Sequence, residues 1–416
     1  MKAEVITVGS ELLFGTFGNS NLMKICREME GIGLEVAFAT TVGDDDKAIA
    51  GCISAAVDRT DAVIITGGLG PTHDDLTREA LAASTGRELE FHPVLEQRLR
   101  RFFESRARTM NELNLNQAWL PSGATAIDNR IGTAPGIFLE HDGVPVFALP
   151  GVPAEMEEML AHHVLPELAS RWEGNVMTSR ILRAVGRGES DLAGMISPVI
   201  RACTDAGEPA LTILASRGEV AIHLRAHGPD RAAGLAKIEP VDAALRQVLG
   251  YLVYGQDDAT LHSVVSAMAH ERGLTLAVVE SFTGGALASR IVAVPGASTV
   301  LKAGYVTYAI EAKVQEVGVP QKTLDEHGAV SEQTARAMAE GARERSGADI
   351  GLSTTGEAGP NPGEEPVGTM FIGLAWDTGS MARKFVAAGS REDIREWGSR
   401  AALDTFRRWM LEGAAV

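Results

Sequence analysis

Ala62-Val63-Ile64-Ile65-Thr66-Gly67-Gly68-Leu69-Gly70-Pro71-Thr72-His73-Asp74-Asp75-Leu76-Thr77 passes from strand-forming residues through a glycine-rich turn into a helix start. Strand formers giving way to glycines and then to helical spacing predict the strand-to-helix joint of a layered α/β fold. On the N-terminal side the same alternation holds. Glu4 to Val8, Leu34 to Thr41 and Ala62 to Thr66 read as strands, with helices over Asn19 to Gly31 and Lys47 to Asp58. Downstream, a strand from Val144 to Leu149 ends in Pro150-Gly151, and a helix from Pro153 to about Ser170 closes the unit. Strands alternating with helices of this length predict a parallel sheet covered on both faces.

The remaining chain divides into two more stretches. Residues 171–255 carry strand candidates at Thr178 to Arg183 and Val220 to Arg225 around a helix from Ser190 to Cys203, a small α+β domain. From 256 onward the alternation returns. Strands are expected at Leu274 to Val279, Lys302 to Thr307, Ile350 to Thr355 and Gly368 to Trp376. Helices are expected over Asp258 to Gly273, Gly284 to Ile291, Glu311 to Val317, Ser331 to Ser346 and Arg391 to about Leu411. The fold class is therefore α/β: two three-layer domains (1–170 and 256–416) joined by a small α+β domain (171–255), as the 416-residue length allows at ~100–200 residues per domain.

Composition narrows the function. The chain is 45% apolar and 22% charged, which excludes disordered and fibrous classes, and no apolar run approaches the ~20 residues that cross a bilayer. A cytoplasmic location is expected, and Cys26, Cys52 and Cys203 stand too far apart to suggest disulfides or structural zinc. With 38 basic against 55 acidic residues the formal net charge is −17, a field that repels polyanions. Residues 171–255 hold ten basic and nine acidic residues, no basic patch and no G-x-x-G clamp, so nucleic acid is not expected as a partner. Small molecules are, and paired three-layer units make a homodimer the expected assembly.

Two constellations carry chemistry. At Thr66 to Thr77, glycines allow close backbone approach and the helix start offers N–H groups to an anion such as phosphate. Asp74 and Asp75 beside it, with Glu11 and Asp44 at neighbouring strand ends, have the hard oxygens a divalent metal needs; they could equally cap the helix. At Val279 to Gly285, a strand ends in Glu280-Ser281-Phe282-Thr283-Gly284-Gly285 and opens a helix. A serine on such a turn can expose its hydroxyl beside N–H groups suited to an oxyanion, though Ser281 would also serve as an N-cap. No histidine falls near these strand ends, since His262 and His270 precede the strand and His327 lies in a loop. A base candidate is Lys313, five residues after Tyr308: a neutral lysine can activate a serine, while by itself Lys313 reads as a solvated helix residue.

These motifs resemble the competence/damage-inducible protein A family over essentially the whole chain. The first constellation, with Asn19-Ser20-Asn21, Asn114, Gln117-Ala118, Asn129, Gly132 to Gly136 and Leu149 to Pro153, resembles that family's molybdopterin-binding-like domain. The resemblance implies metal-dependent hydrolysis of ADP-ribose, with Asp75 catalytic, Glu11, Asp44 and Asp75 holding a divalent metal, and Gly67, Gly68, Gly70, Thr72, Asn114 and Asn129 binding substrate. The second, with Thr354 to Pro360 and Pro366 to Thr369, is similar to nicotinamide-nucleotide amidases, which convert nicotinamide mononucleotide to nicotinate mononucleotide without a cofactor. Carried over, Ser281 is the nucleophile, Lys313 the base and Tyr308 an orienting residue. Thr283, Gly284, Gly285, Thr355 and Gly356 line the substrate, and Arg391 or Arg395 meets its phosphate. Phe282, Glu357 and Glu365 depart from the family pattern, with lower amidase activity as the expected consequence. Pyridine-nucleotide recycling unites the two reactions. The alternative is a nucleotide-binding or competence-associated interaction protein whose sites are inactive.

Overall fold

The computed structural model describes residues 2–171, 174–216, 218–363 and 365–413. Trp172, at the start of the middle stretch, lies outside them. By internal contacts the chain forms two compact units, one of residues 1–179 and 225–237, the other of residues 180–224 and 238–416.

In the first unit, strands β1 (Lys2–Val8), β2 (Glu35–Val42) and β3 (Ala62–Thr66) precede a short ribbon of β4 (Leu89–Phe91) and β5 (Trp119–Pro121). Then come β6 (Thr125–Ile127), β7 (Gly136–His141) and β8 (Val144–Leu149), giving a main sheet of order β2-β1-β3-β8-β7-β6. The first four of these are parallel, whereas β7 and β6 run antiparallel. Strand periodicity sorts the core into two layers: Ile6, Val63 and Ile65 pack with Ile53 and Leu81, while Val5, Ala62 and Ile64 pack with Ile25, Met29 and Met156. Both faces are covered, as the alternation predicts. The antiparallel edge departs from a purely parallel sheet. Asp142 (φ 50°) and Gly143 (φ 79°) form the two-residue turn between β7 and β8, a connection that needs no crossover helix.

The middle stretch holds β9 (Val176–Val185), β10 (Ala210–Ser216), β11 (Glu219–Gly228) and β12 (Val253–Gln256) in the order β10-β11-β9-β12, with helices at Glu189–Met195, Ser197–Ala206 and Arg231–Leu249. The C-terminal sheet comprises β13 (Leu276–Glu280), β14 (Leu301–Val306), β15 (Ile350–Gly356), β16 (Thr369–Trp376) and β17 (Gly379–Val386), ordered β14-β13-β15-β16-β17. Leu276, Val278, Ile350 and Leu352 pack against Val265, Leu403 and Phe406 of the helices Leu261–Glu271 and Arg391–Glu412. Ala277 and Val279 face Met338 and Ala342 of the helix Glu332–Ser346. Here too the sheet is mixed: β13 pairs in parallel with β14 and β15, but β16 and β17 are antiparallel, and β17 is a strand the periodicity did not predict. The consequence for the site is geometric. Ser281, Thr307 and Gly356 all lie at the same ends of adjacent parallel strands, where side chains from distant sequence converge.

Candidate active site

Ser281 follows the last residue of β13, and its N–H donates to the Thr354 carbonyl at 2.9 Å, so the chain still follows the sheet as it turns. It is not an N-cap: the next helix, Ala286–Val292, begins five positions later. That helix start is satisfied instead by Glu280. Its fully buried carboxylate accepts from the N–H groups of Gly285 (2.9 Å), Leu287 (3.1 Å) and Ala288 (2.8 Å). The Gly284 N–H is also used, by the Ser281 carbonyl at 3.1 Å. Among the described residues this leaves the N–H groups of Phe282 and Thr283, directly after the serine, without a protein partner. The donors free for an oxyanion are thus the first two amides after the serine, since those of Gly284 and Gly285 are occupied.

Lys313 sits in the first turn of the helix Ile310–Val317 and is 1% exposed. Its Nζ donates to Ser281 Oγ at 3.1 Å and to the Thr307 carbonyl at 2.7 Å. Burial without a countercharge favours the neutral amine and lowers its pKa to about 8. A serine hydroxyl hydrogen-bonded to a buried amine of that acidity is a nucleophile beside its base. Beside the pair, Thr307 is fully buried with an Oγ1 that finds no partner.

The other expected residues surround this pair without all touching it. Tyr308 is 61% exposed, and its hydroxyl accepts from Arg391 Nη2 at 2.8 Å rather than meeting Ser281 or Lys313. Arg391 Nη1 also donates to the Gly359 carbonyl at 2.5 Å. Arg395 lies on the nucleophile turn, donating through Nε (3.3 Å) and Nη2 (2.9 Å) to the Thr283 carbonyl. Thr283 and Thr355 are buried and spend their hydroxyls within the protein, on Thr354 Oγ1 (2.7 Å) and the Ala329 carbonyl (2.7 Å). Gly356 packs on Met370, where a Cβ would come within 2.8 Å. Phe282 turns into an apolar cluster with Ala358, Met370, Ala387 and Ile394, and Glu365 is paired with Lys384 at 2.9 Å. Glu357 folds its carboxylate over Gly363.

In the first unit the glycines are dictated by packing. Gly67 (φ 104°) and Gly68 (φ 67°) adopt backbone that other residues avoid, and a Cβ would stand 2.2 Å from the Val8 carbonyl oxygen or 2.3 Å from Thr77 Oγ1. Asp75 neither caps the helix, which begins at Thr77, nor offers free oxygens to a metal. Its Oδ1 accepts from the Gly70 N–H at 2.7 Å and its Oδ2 from Thr72 N (2.8 Å) and Oγ1 (2.5 Å), so it braces the glycine loop. Arg78, unremarked in the sequence, completes the brace: buried, it donates to the carbonyls of Leu69 (2.7 Å) and Gly70 (3.0 Å). Asp44 accepts from the Ser10 N–H at 2.9 Å.

Among the described residues no group of three or more His, Cys, Asp or Glu side chains is arranged to hold a metal ion. The set of Glu11, Asp44 and Asp75 therefore does not fit a preformed metal centre. Asn129 holds its own loop, accepting from Ile131 and Gly132 and donating to the Ala134 carbonyl and Glu155, and Asn114 is buried. An open cleft of ≈ 350 Å³ adjoins the loop. Of the expected residues it takes Glu11 and Gly67, together with Phe17, Asn19, Asn21 and Thr66. Asn21 Nδ2 donates to Thr66 Oγ1 and the Gly151 carbonyl while its Oδ1 is buried without a partner, an acceptor available to a donor from a ligand.

Three family models match this chain: a probable molybdopterin binding domain over residues 4–170, a damage-inducible protein CinA KH domain over 179–255, and a CinA C-terminal domain over 258–410. A CinA-like protein of Frankia casuarinae is 44% identical, covering 99% of this chain and 97% of its own. A putative competence-damage inducible protein of Symbiobacterium thermophilum is 42% identical, covering 99% of each. Among solved structures, a protein CinA with unknown function from Thermoplasma acidophilum matches 40% of this chain and 97% of its own, at 32% identity and a TM-score of 0.38. No described helix is long and apolar enough to cross a membrane.

Proposed function

Because this chain belongs to the CinA family, and because a buried lysine amine meets a serine hydroxyl at the end of β13, we propose that its C-terminal unit is a serine–lysine amidase acting on nicotinamide mononucleotide. The 3.1 Å contact between Lys313 Nζ and Ser281 Oγ is the observation that carries the reading. Neutral Lys313 accepts the hydroxyl proton as Ser281 Oγ bonds to the carboxamide carbon, and the carbonyl electron pair moves onto oxygen, toward the free N–H groups of Phe282 and Thr283. Collapse breaks the C–N bond, Lys313 returns the proton to the departing nitrogen, and ammonia leaves an acyl ester on Ser281. Water, deprotonated by Lys313, attacks that ester and releases nicotinate mononucleotide, the proton returning to Ser281. Each guanidinium has five N–H donors, so Arg395 keeps some for the substrate phosphate after bonding the Thr283 carbonyl, and Arg391 after bonding Tyr308 and the Gly359 carbonyl. Tyr308 steadies Arg391.

A second reading concerns the first unit, whose cleft, braced glycine loop and unpartnered Asn21 Oδ1 support binding and hydrolysis of ADP-ribose. Among the described residues Glu11, Asp44 and Asp75 form no preformed centre, and of the three Glu11 lines the cleft where a divalent metal would be held with the substrate phosphates. Together the two activities amount to pyridine-nucleotide recycling, and we propose that the chain works as a cytoplasmic homodimer.

One paired experiment tests both. Ammonia release from nicotinamide mononucleotide should fall by orders of magnitude in Ser281→Ala, leaving ADP-ribose turnover unchanged, and Asp75→Asn should give the reverse pattern. Wild-type ammonia release from Ser281→Ala would end the amidase reading. ADP-ribose turnover indifferent to a chelator would end the metal's part in the second.

A further inference from the structure

Arg383 is an inward-facing charge on the edge strand β17. It shares a strand face with Met381 and Phe385, both packed on the apolar core beneath the helix Arg391–Glu412. It is partly buried and, among the described residues, forms no hydrogen bond or ion pair. Arg383 lines a cavity of ≈ 80 Å³. Two further arginines line the same cavity, each already held in place: Arg408 by Asp404 Oδ2 at 2.7 Å and Arg400 by the Ser216 carbonyl at 3.1 Å.

The one carboxylate in the lining is spoken for. Asp404 Oδ1 accepts from Arg407 Nε and Nη2 at 3.0 and 2.6 Å, and Oδ2 is taken by Arg408. The space itself depends on two residues without side chains. A Cβ on Gly186 would come within 2.3 Å of Arg408 Nη2, and one on Gly218 within 2.7 Å of the Trp397 ring. Edge strands do carry inward charges as a guard against pairing with other chains, but that role requires neither a cavity nor further arginines around it.

We propose that this cavity is a binding site for a small inorganic oxyanion of phosphate size, with Arg383 as its principal ligand. At about 10–15 Å³ for one water, the cavity has room for several, enough for a tetrahedral oxyanion. A planar guanidinium is suited to oxyanion geometry. The site is separate from the amidase mouth and requires no amide chemistry. It adjoins that chemistry through Trp397, which also packs in the cluster containing Phe282.

Titration of the full chain with inorganic phosphate at constant ionic strength, followed by calorimetry and tryptophan fluorescence, should give a saturable isotherm. Arg383→Met, which keeps an apolar stem, should weaken it about tenfold or more. Arg383→Lys should retain part of it, and in an Arg395→Ala background, which removes only the phosphate contact proposed for the amidase site, a saturable isotherm should remain that Arg383→Met still weakens. Phosphate should raise the melting temperature of wild type but not of Arg383→Met, which reports on the site in a folded variant. Absence of saturable binding, an isotherm unaltered by Arg383→Met, or one abolished by Arg395→Ala would overturn the proposal.

Discussion

Lys313 is the residue on which chemistry and stability meet. Its amine has lost nearly all contact with water, and burial alone lowers its pKa from the ordinary 10.5 to about 8. Only the neutral form can take the Ser281 proton, so kcat/KM for amide hydrolysis should climb with pH, bend near 8 and level off above it. A profile flat from about pH 6.5 to 9.5 would remove Lys313 as the base. In the unfolded chain the amine holds its proton up to the ordinary range. Between about 8 and 10.5 the unfolded state therefore binds more protons, and stability rises with pH. Below that window the penalty is fully present, on the order of 3 kcal/mol before the two hydrogen bonds of Nζ are set against it, and above the window it vanishes. Replacing the amine with methionine removes this dependence. In thermal melts the stability of wild type relative to Lys313→Met should shift in favour of wild type as pH rises through that window.

The turn from β13 into the helix Ala286–Val292 shows how one element makes the site. Three N–H groups of the helix start converge on Glu280, and this frees Ser281 from capping duty while leaving the Phe282 and Thr283 amides unengaged among the described residues. Glu280→Gln keeps the shape but replaces one accepting oxygen with an NH₂ that cannot pair with an N–H. The variant should lose about 1–3 kcal/mol in denaturant melts and lose kcat with little change in KM, since the turn is aimed at the transition state and not at the ground state. An unaltered kcat would mean the turn holds its form without the carboxylate. Helices and buried parallel strands were legible from periodicity at this level. The hairpin partner β17 was not, because an antiparallel return needs only a tight turn at Asp377-Thr378 and no helical signal.

For the whole chain, the match of residues 179–255 to a KH domain model raises nucleic acid as a partner. The charge balance of that stretch and the overall −17 oppose it. Fluorescence anisotropy with a single-stranded oligonucleotide at low salt should show nothing tighter than non-specific binding of ~10⁻⁴–10⁻⁶ M. A saturable isotherm tighter than that would establish the middle stretch as a nucleic-acid module.

The turn that carries the candidate nucleophile was readable along the chain, with a helix cap as its other reading, whereas Lys313 as its base came from the family resemblance and not from any local pattern. Layer structure was readable too, since alternate residues of Ala62 to Thr66 must bury on opposite faces. Side-chain destinations were not. Asp75 looks like a metal ligand in the linear sequence yet spends both oxygens on its own loop, and Tyr308 precedes Lys313 by five residues yet bonds Arg391, 83 residues away. A carboxylate or a hydroxyl serves whichever donor the packed chain brings to it. That choice belongs to contacts between segments far apart in sequence, and no local pattern records it.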